Sequence, residues 1–316
     1  MNKSTKIWVN YIAGAIISIF LLWNIYGQVT KQLAGLDKNT WTQTGHIGIL
    51  IAAIVLMFAN TSLEAYRWYV LTRSVEPITY RKAFASYLAG IAFSIVTPNR
   101  VGEYPARILY LGQRHTFRFI NVSLMAIMAQ LSAVYFFGFL GLVFYCLAFG
   151  GTYEWIGLGI AAILALLIAI AYWRFDNWLP WFARFSWLRR FVIYGRLINR
   201  FTTHGQVLIL GLSYLRFIVY TIQFILLLVW FQVNIAPADA FFMVSLFFWV
   251  MAVIPSIALT EIGIRGTLSI YLFSHYSTNT LGIVAASTGI WMLNLIIPSV
   301  IGSILIFCRR LLRQDS

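Results

Sequence analysis

Six runs of apolar residues, each close to or beyond the roughly 20 needed to cross a bilayer, decide what this chain can fold into. They are Ile7 to Tyr26, Ile47 to Leu63, Val122 to Phe149, Ile156 to Trp173, Val207 to Phe231 and Leu281 to Phe307. In hydrocarbon a backbone N–H or C=O has no water to bond to, so a segment of this kind satisfies itself as a helix. The expected class is therefore an all-α integral membrane protein. Lys3 and Lys6 precede the first run, as in a signal peptide. That run is too long for a signal core and no small-residue cleavage site follows it, so it is expected to stay as a span. The longest stretch without a span, residues 174–206, leaves no room for a soluble catalytic domain.

The formal charge of +14 would suit nucleic acid only on a water-facing platform, and the pattern of spans provides none. The positive-inside rule accounts for the charge instead. Of 23 Lys and Arg, 17 fall at the N-terminus, near the end of the second span, at Arg114 and Arg118, between Arg174 and Arg200, and at the C-terminus. The loops of opposite phase hold only Lys31 and Lys38, which leaves four arginines in apolar surroundings: Arg100, Arg107, Arg216 and Arg265. Both termini are accordingly expected in the cytoplasm of a cell-membrane protein. Segment 174–206 mixes tryptophans and phenylalanines with six arginines, the composition of an interfacial amphipathic helix on the inner leaflet.

That path closes only if two further apolar segments, residues 84–110 and 240–273, enter and leave on the same side. Each is broken near its middle, by "TPNRVGEYP" (97–105) and by "IPSIALTEIG" (254–263). Arms of this length suit re-entrant helical hairpins. The breaks also resemble each other, since both run from Pro to Glu-x-x-x-Arg. Glu103 and Glu261 lie 158 residues apart, as do Arg107 and Arg265. The expected architecture is one membrane domain, residues 1–316, with about six full spans and two re-entrant hairpins in an inverted repeat of 1–150 and 151–316, the plan of secondary transporters.

Glu103 and Arg107, like Glu261 and Arg265, stand one helical turn apart in the favourable order for an ion pair. Charges at membrane depth are costly and are often functional. Two readings stay open: each pair staples its own hairpin, or the arginines receive a phosphate at a helix start. On the fifth span Ser213, Arg216, Tyr220 and Gln223 share a face, and on the second Asn60, Glu64 and Arg67 form a similar stripe. Glu64 and Arg67, near the end of their run, are expected to snorkel, and Gln130 and Asn294 to act as helix-packing contacts. Cys146 and Cys308 read as filler. His46, His115, His204 and His275 lack metal-ligand spacing, and there is no nucleophile elbow or phosphate-cradling loop. No metal, cofactor or catalytic residue is expected, and the chain is not read as an enzyme.

"TPNRVGEYPAR" (97–107) resembles the Pro, Arg, Gly-Glu and Arg element of the lysylphosphatidylglycerol synthase transmembrane-region family. "RWYVLT" (67–72) resembles that family's Arg-Trp at the end of its second span, "AFASYLAGIAFSIV" its approach to the motif, and "IPSIALTEIGIRGTLSIYL" its late glycine and arginine element. The likeness spans most of the chain. Here Glu261 precedes Gly263, and Gly266 follows Arg265, so the acid sits on the other side of the arginine from its usual place. The resemblance implies the lipid-translocating half of an aminoacyl-phosphatidylglycerol flippase without the aminoacyl-transfer activity, and puts Arg100, Glu103, Arg107 and Arg265 on motif positions. With Arg216 and Glu261 these form the expected substrate-binding set. The expected substrate is an anionic or zwitterionic phospholipid or lipid-linked molecule. The alternative is a non-transporting partner subunit of a lipid-modifying or glycosyl-transfer enzyme. A second copy or a membrane enzyme is the expected protein partner, and nucleic acid is not.

Overall fold

The computed structural model of the chain describes residues 45–95, 97, 100–112, 115–150, 152–175, 203–254 and 258–312, with Trp23, Tyr26, Gly27 and Thr30. The side chains of 152–153, 258–262 and 309–312 stand outside that description. Also outside it lie most of the first expected span, the interfacial segment from 176 to 202, Pro98, Arg114 and Pro255. Among the described residues there are helices and turns and no strand, as an apolar chain that must satisfy its own backbone requires.

Among the described residues from 45 onward, ten α-helices follow in order: α1 Ile47–Arg73, α2 Tyr80–Ser94, α3 Glu103–Leu111, α4 Thr116–Phe149, α5 Thr152–Trp173, α6 Thr203–Trp230, α7 Pro237–Val253, α8 Ala258–Phe273, α9 Thr280–Trp291 and α10 Ile297–Leu312. A π-helical turn, Met292–Ile296, joins the last two into one rod. Among the described residues five segments are long and apolar enough to cross a membrane: α1, α4, α5, α6 and the α9–α10 rod. The five expected spans after the first are thus all present.

α1 runs ten residues past the apolar stretch that announces it, to Arg73. The sequence signal stops at Leu63 because Glu64 and Arg67 follow. The helix does not stop there, because those charges meet partners on neighbouring helices. Their expected snorkelling is therefore overturned: both are 1% exposed.

The two broken segments form helix pairs with arms of 15 and 9 residues in α2 and α3, and 17 and 16 in α7 and α8. Thr79 caps α2 by accepting from the Lys82 N–H, and Pro237 opens α7 at a position where no N–H is needed. α2 and α3 pack antiparallel. Ser86 donates to the Arg107 carbonyl at 2.9 Å, and Gly90 lies so close that a Cβ there would stand 2.5 Å from Arg107 Cγ and 2.7 Å from the Glu103 carbonyl oxygen. Gly112, at φ +123°, ends α3 in backbone space that a side chain rarely adopts.

α1 and α6 cross the centre of the bundle antiparallel. α4 lies on α7, and α10 on α2. α5 packs against α4 and turns Ile156, Ile160, Ile163 and Leu166 outward, the lipid-facing side of a peripheral span. At the other end of the bundle, the Asn279 side chain caps α9 through the Gly282 N–H and donates to the Phe231 carbonyl, both at 2.9 Å. That ties the start of α9 to the end of α6.

Candidate functional site

The two polar stripes expected on the second and fifth spans face each other across the α1–α6 seam. Three rungs join them. Near one end, Arg67 Nη1 donates to Ser213 Oγ at 2.7 Å. In the middle, Arg216 Nε donates to Asn60 Oδ1 at 3.1 Å, and Arg216 Nη1 lies 3.4 Å from Glu64 Oε2. Beyond these, Gln223 Nε2 donates to the Ala53 carbonyl at 2.9 Å. Tyr220, the remaining member of its stripe, stacks on Phe248 instead. Gln130 of α4 accepts from both Arg67 and Arg216, at 3.2 and 2.9 Å. Asn294, in the π turn, accepts from Asn60 at 2.7 Å and donates to Gln223 at 2.9 Å. The two lone polar residues expected to be packing contacts are therefore bridges in one hydrogen-bonded chain.

The α2–α3 pair closes over this seam. Arg107 Nη1 reaches Glu64 Oε1 at 3.0 Å, and Nη2 pairs with Glu103 on its own helix. The guanidinium carbon of Arg107 stands 4.7 Å from the ring centroids of both Tyr87 and Tyr104 and 5.3 Å from that of Trp68. This is an aromatic enclosure that favours arginine over lysine. Trp68 Nε1 donates to Ser86 Oγ at 3.2 Å, which keys α2 onto α1.

Glu64 is the hub. Arg67 at 2.7 Å, Arg107 and Arg216 all converge on its two oxygens. Among the described residues of the network three guanidinium groups face two carboxylates. Its centre is sealed, the side chains of Glu64, Arg67 and Arg107 being 1–2% exposed, whereas those of Glu103 and Arg216 keep 22% and 25%. Arg216 lies midway along α6 and Asn60 midway along α1, so the accessible part of Arg216 opens far from both ends of the spans. An arginine side chain meeting hydrocarbon at that depth costs about 2.5–3.5 kcal/mol even on insertion scales. Its exposed quarter is therefore a place where the network can meet a polar group.

Of the six residues expected to bind substrate, Glu103, Arg107 and Arg216 come together. Arg100 sits half-buried in the turn between α2 and α3, at φ +58°. In that turn its N–H donates to the Thr97 carbonyl at 3.2 Å, and Thr97 Oγ1 accepts from the Gly102 N–H at 2.9 Å. Arg265 is buried on α8, its guanidinium carbon 5.7 Å from the Phe247 ring of α7. The Glu261 side chain lies outside the described residues. Sequence reasoning left out Glu64, Arg67 and Gln130. The signal that points to Glu64 and Arg67 is the pair of stripes with i, i+3, i+4 spacing on two spans, since two polar faces in lipid bury themselves best against each other; Gln130, a single amide on α4, belongs to neither stripe.

A family model described as the lysylphosphatidylglycerol synthase TM region matches residues 11–302. No curated protein and no solved structure matches the chain.

Proposed function

The chain belongs to the lysylphosphatidylglycerol synthase TM region family, and from that premise we propose that it moves an anionic or zwitterionic phospholipid, or a lipid-linked molecule, between the leaflets of the cell membrane. It does so without converting the lipid chemically. The observation that carries this reading is the sealed Glu64 hub at membrane depth with its two accessible ends, Arg216 and Glu103. A headgroup crossing a bilayer needs its phosphate charge met on the way. Arginine does this through forked hydrogen bonds, in a site where little water competes. Glu64 and Glu103 hold the arginines in place when no lipid is bound.

The inverted-repeat plan fits the same function, and the packing supports it. Exchanging α1 with α6, α2 with α7, α3 with α8, and α4 with the α9–α10 rod maps observed neighbours onto observed neighbours: α4 on α7 becomes α10 on α2, and α3 on α4 becomes α8 on α9. At each long contact a glycine admits a backbone. A Cβ on Gly141 would stand 2.5 Å from the Phe242 carbonyl oxygen and 2.8 Å from the Leu246 nitrogen, and one on Gly302 would meet the Leu88 carbonyl oxygen. Leu88 and Leu246 are 158 residues apart, the spacing of Glu103 and Glu261. In this plan one membrane domain holds the pseudo-repeats 1–150 and 151–316. Both termini are cytoplasmic, and the hairpins enter from opposite faces. Single cysteines at positions 114 and 276 are then expected to react with impermeant reagents from opposite sides of the membrane. Labelling from the same side would rule out the inversion.

Transport itself is tested in liposomes. The reconstituted protein is expected to speed the flipping of fluorescent phospholipids over protein-free vesicles. Arg107→Lys keeps the charge but cannot bridge both glutamates. It is expected to slow flipping roughly ten- to a hundredfold, the scale of one charge-assisted hydrogen bond. Folded protein that flips none of the lipids would shift the reading to the partner-subunit role.

A further inference from the structure

Away from the polar seam, one cluster of side chains is built around a titratable ring. At the end of the bundle where α4 and α8 stop, the His275 imidazole stacks on Phe149, with ring centroids 4.5 Å apart and planes at 21°. Tyr145 and Tyr271 meet the same imidazole at 6.1 and 6.2 Å, with interplanar angles of 70° and 79°. Their hydroxyl oxygens are 3.0 Å apart, one donating to the other. Tyr276 stands edge-on to Phe149 at 5.8 Å. Tyr145 and Phe149 belong to α4, Tyr271 to α8, and His275 lies just beyond the end of α8. These side chains therefore bridge two helices whose most extensive contacts are elsewhere, α4 on α7 and α8 on α9.

The surroundings of that ring favour a cation. α4 ends at Phe149 and α8 at Phe273, and neither carries Lys or Arg in its last turn. Two helix carboxyl ends, each the negative pole of its dipole, thus meet at His275 with no basic side chain of their own. Phe149 offers the electron-rich face of its ring. The charged groups on the elements packed here are acids. Glu154, at the start of α5, is near enough for its charge to act on Tyr145 and Cys146 of α4, and Asp239, at the start of α7, acts on Tyr276. Residues 141–155, 229–240 and 266–284 contain no Lys or Arg. His275 is itself exposed, so its proton exchanges with water.

We infer that His275 is an acid-operated clasp between α4 and α8: as an imidazolium it holds the end of α8 against the end of α4, and as a neutral ring it holds it less. Among the side-chain types in the cluster, histidine is the one that ordinarily changes charge between about pH 5 and 8. Because the folded cluster favours the protonated form, the hold is present below the ordinary histidine range and is lost as pH rises through it. The consequence for activity rests on the transport reading. α8 carries Arg265, ten residues before His275, and lipid movement slows when the face that bears His275 is acidic, because α8 is then fixed to α4.

The test is hydrogen exchange of the purified full-length protein in an uncharged detergent, at about pH 5.5 and about pH 7.5, which bracket the histidine range, with the intrinsic pH dependence of exchange divided out. Opening of the backbone at residues 268–276 is expected to be roughly tenfold rarer at the acid value, the joint scale of a cation at a helix end and over a ring. His275→Phe keeps a stacked ring and removes the charge, and is expected to open equally at both values. Phe149→Leu, which leaves the imidazole without its ring face, is expected to lose most of the difference. His46→Asn, at the start of α1, is expected to leave it intact. Wild-type protein that opens equally at both values, or more often at the acid one, overturns the inference without any variant, and so does a difference that survives His275→Phe. In phosphatidylcholine vesicles doped with fluorescent phospholipid, flipping by the wild type is expected to be slower in acid, and flipping by His275→Phe to be the same at both values. An α8 that responds to pH in a protein that flips nothing at either value leaves the clasp standing and sinks the transport reading. Flipping with an α8 indifferent to pH does the reverse. Flipping indifferent to pH while α8 responds overturns the regulatory consequence.

Discussion

Glu64→Gln is expected to lower the melting midpoint of the purified protein further than any other single change in the network and to reduce the yield of monodisperse protein. The substitution is nearly isosteric, so packing is kept and the charge alone is lost. Among the described members Glu103, paired with Arg107, is then the one carboxylate left, and both Arg67 and Arg216 lose their ion-pair partner in the network. Removing one partner of a buried pair costs about 3–5 kcal/mol, and here a single deletion strips three pairs at once. The double change Glu64→Gln with Arg67→Met removes one charge of each sign and restores the original surplus. It is expected to recover part of the loss. A midpoint equal to wild type for Glu64→Gln alone, measured by fluorescence-detected size exclusion after heating, would show that the hub does not hold the bundle together.

The second large effect is expected at the two glycines where spans meet hairpin arms. In Gly302→Ala the new methyl group falls on the Leu88 carbonyl oxygen, and in Gly141→Ala on the backbone of Phe242 and Leu246. Backbone atoms cannot rotate away as a side-chain tip can, so the helices must separate. Overpacking of this kind costs about 1–3 kcal/mol per site, and the two sites lie at separate interfaces, so their costs should add. Gly157→Ala and Gly159→Ala on α5, where a Cβ meets nothing within 4 Å, are expected to be neutral or stabilising, because alanine favours a helix over glycine. Midpoints that fall equally in all four variants would mean that helix propensity, and not close approach, governs these positions.

How far the sequence reveals this molecule depends on the kind of signal. Apolar length is a one-dimensional property, so the spans α4, α5, α6 and α9–α10 were legible. Proline and charge inside apolar runs marked both broken segments for the same reason. The Glu103–Arg107 pair was legible because its two members lie on one helix. Glu64 was not legible as a hub. Its partners Arg107 and Arg216 lie 43 and 152 positions away, and only the closure of α2–α3 over α1 brings them in. Near the end of an apolar run, a carboxylate and an arginine look like a helix emerging into water. The distinction between a membrane exit and a covered polar face rests on tertiary contacts that no local window contains. Gln130 and Asn294 were legible as contacts between helices, but a single amide in a span shows nothing of the several partners it can serve.

The π turn at Met292–Ile296 has a consequence for how the last span divides its loyalties. A π turn carries one residue more than an α turn, and one residue corresponds to about 100° of rotation about the helix axis. α9 and α10 are therefore out of phase along a common rod. α9 lays one side against α6 and α8, whereas α10 turns a different side, with Gly302 on it, towards α2. An uninterrupted α-helix of the same sequence would carry the first orientation through to its end and rotate Gly302 off the Leu88 backbone. The phase slip falls at Asn294, whose amide is gripped by Asn60 and Gln223. The residue that joins the polar chain thus also sets the angle at which one half of the molecule clasps the other.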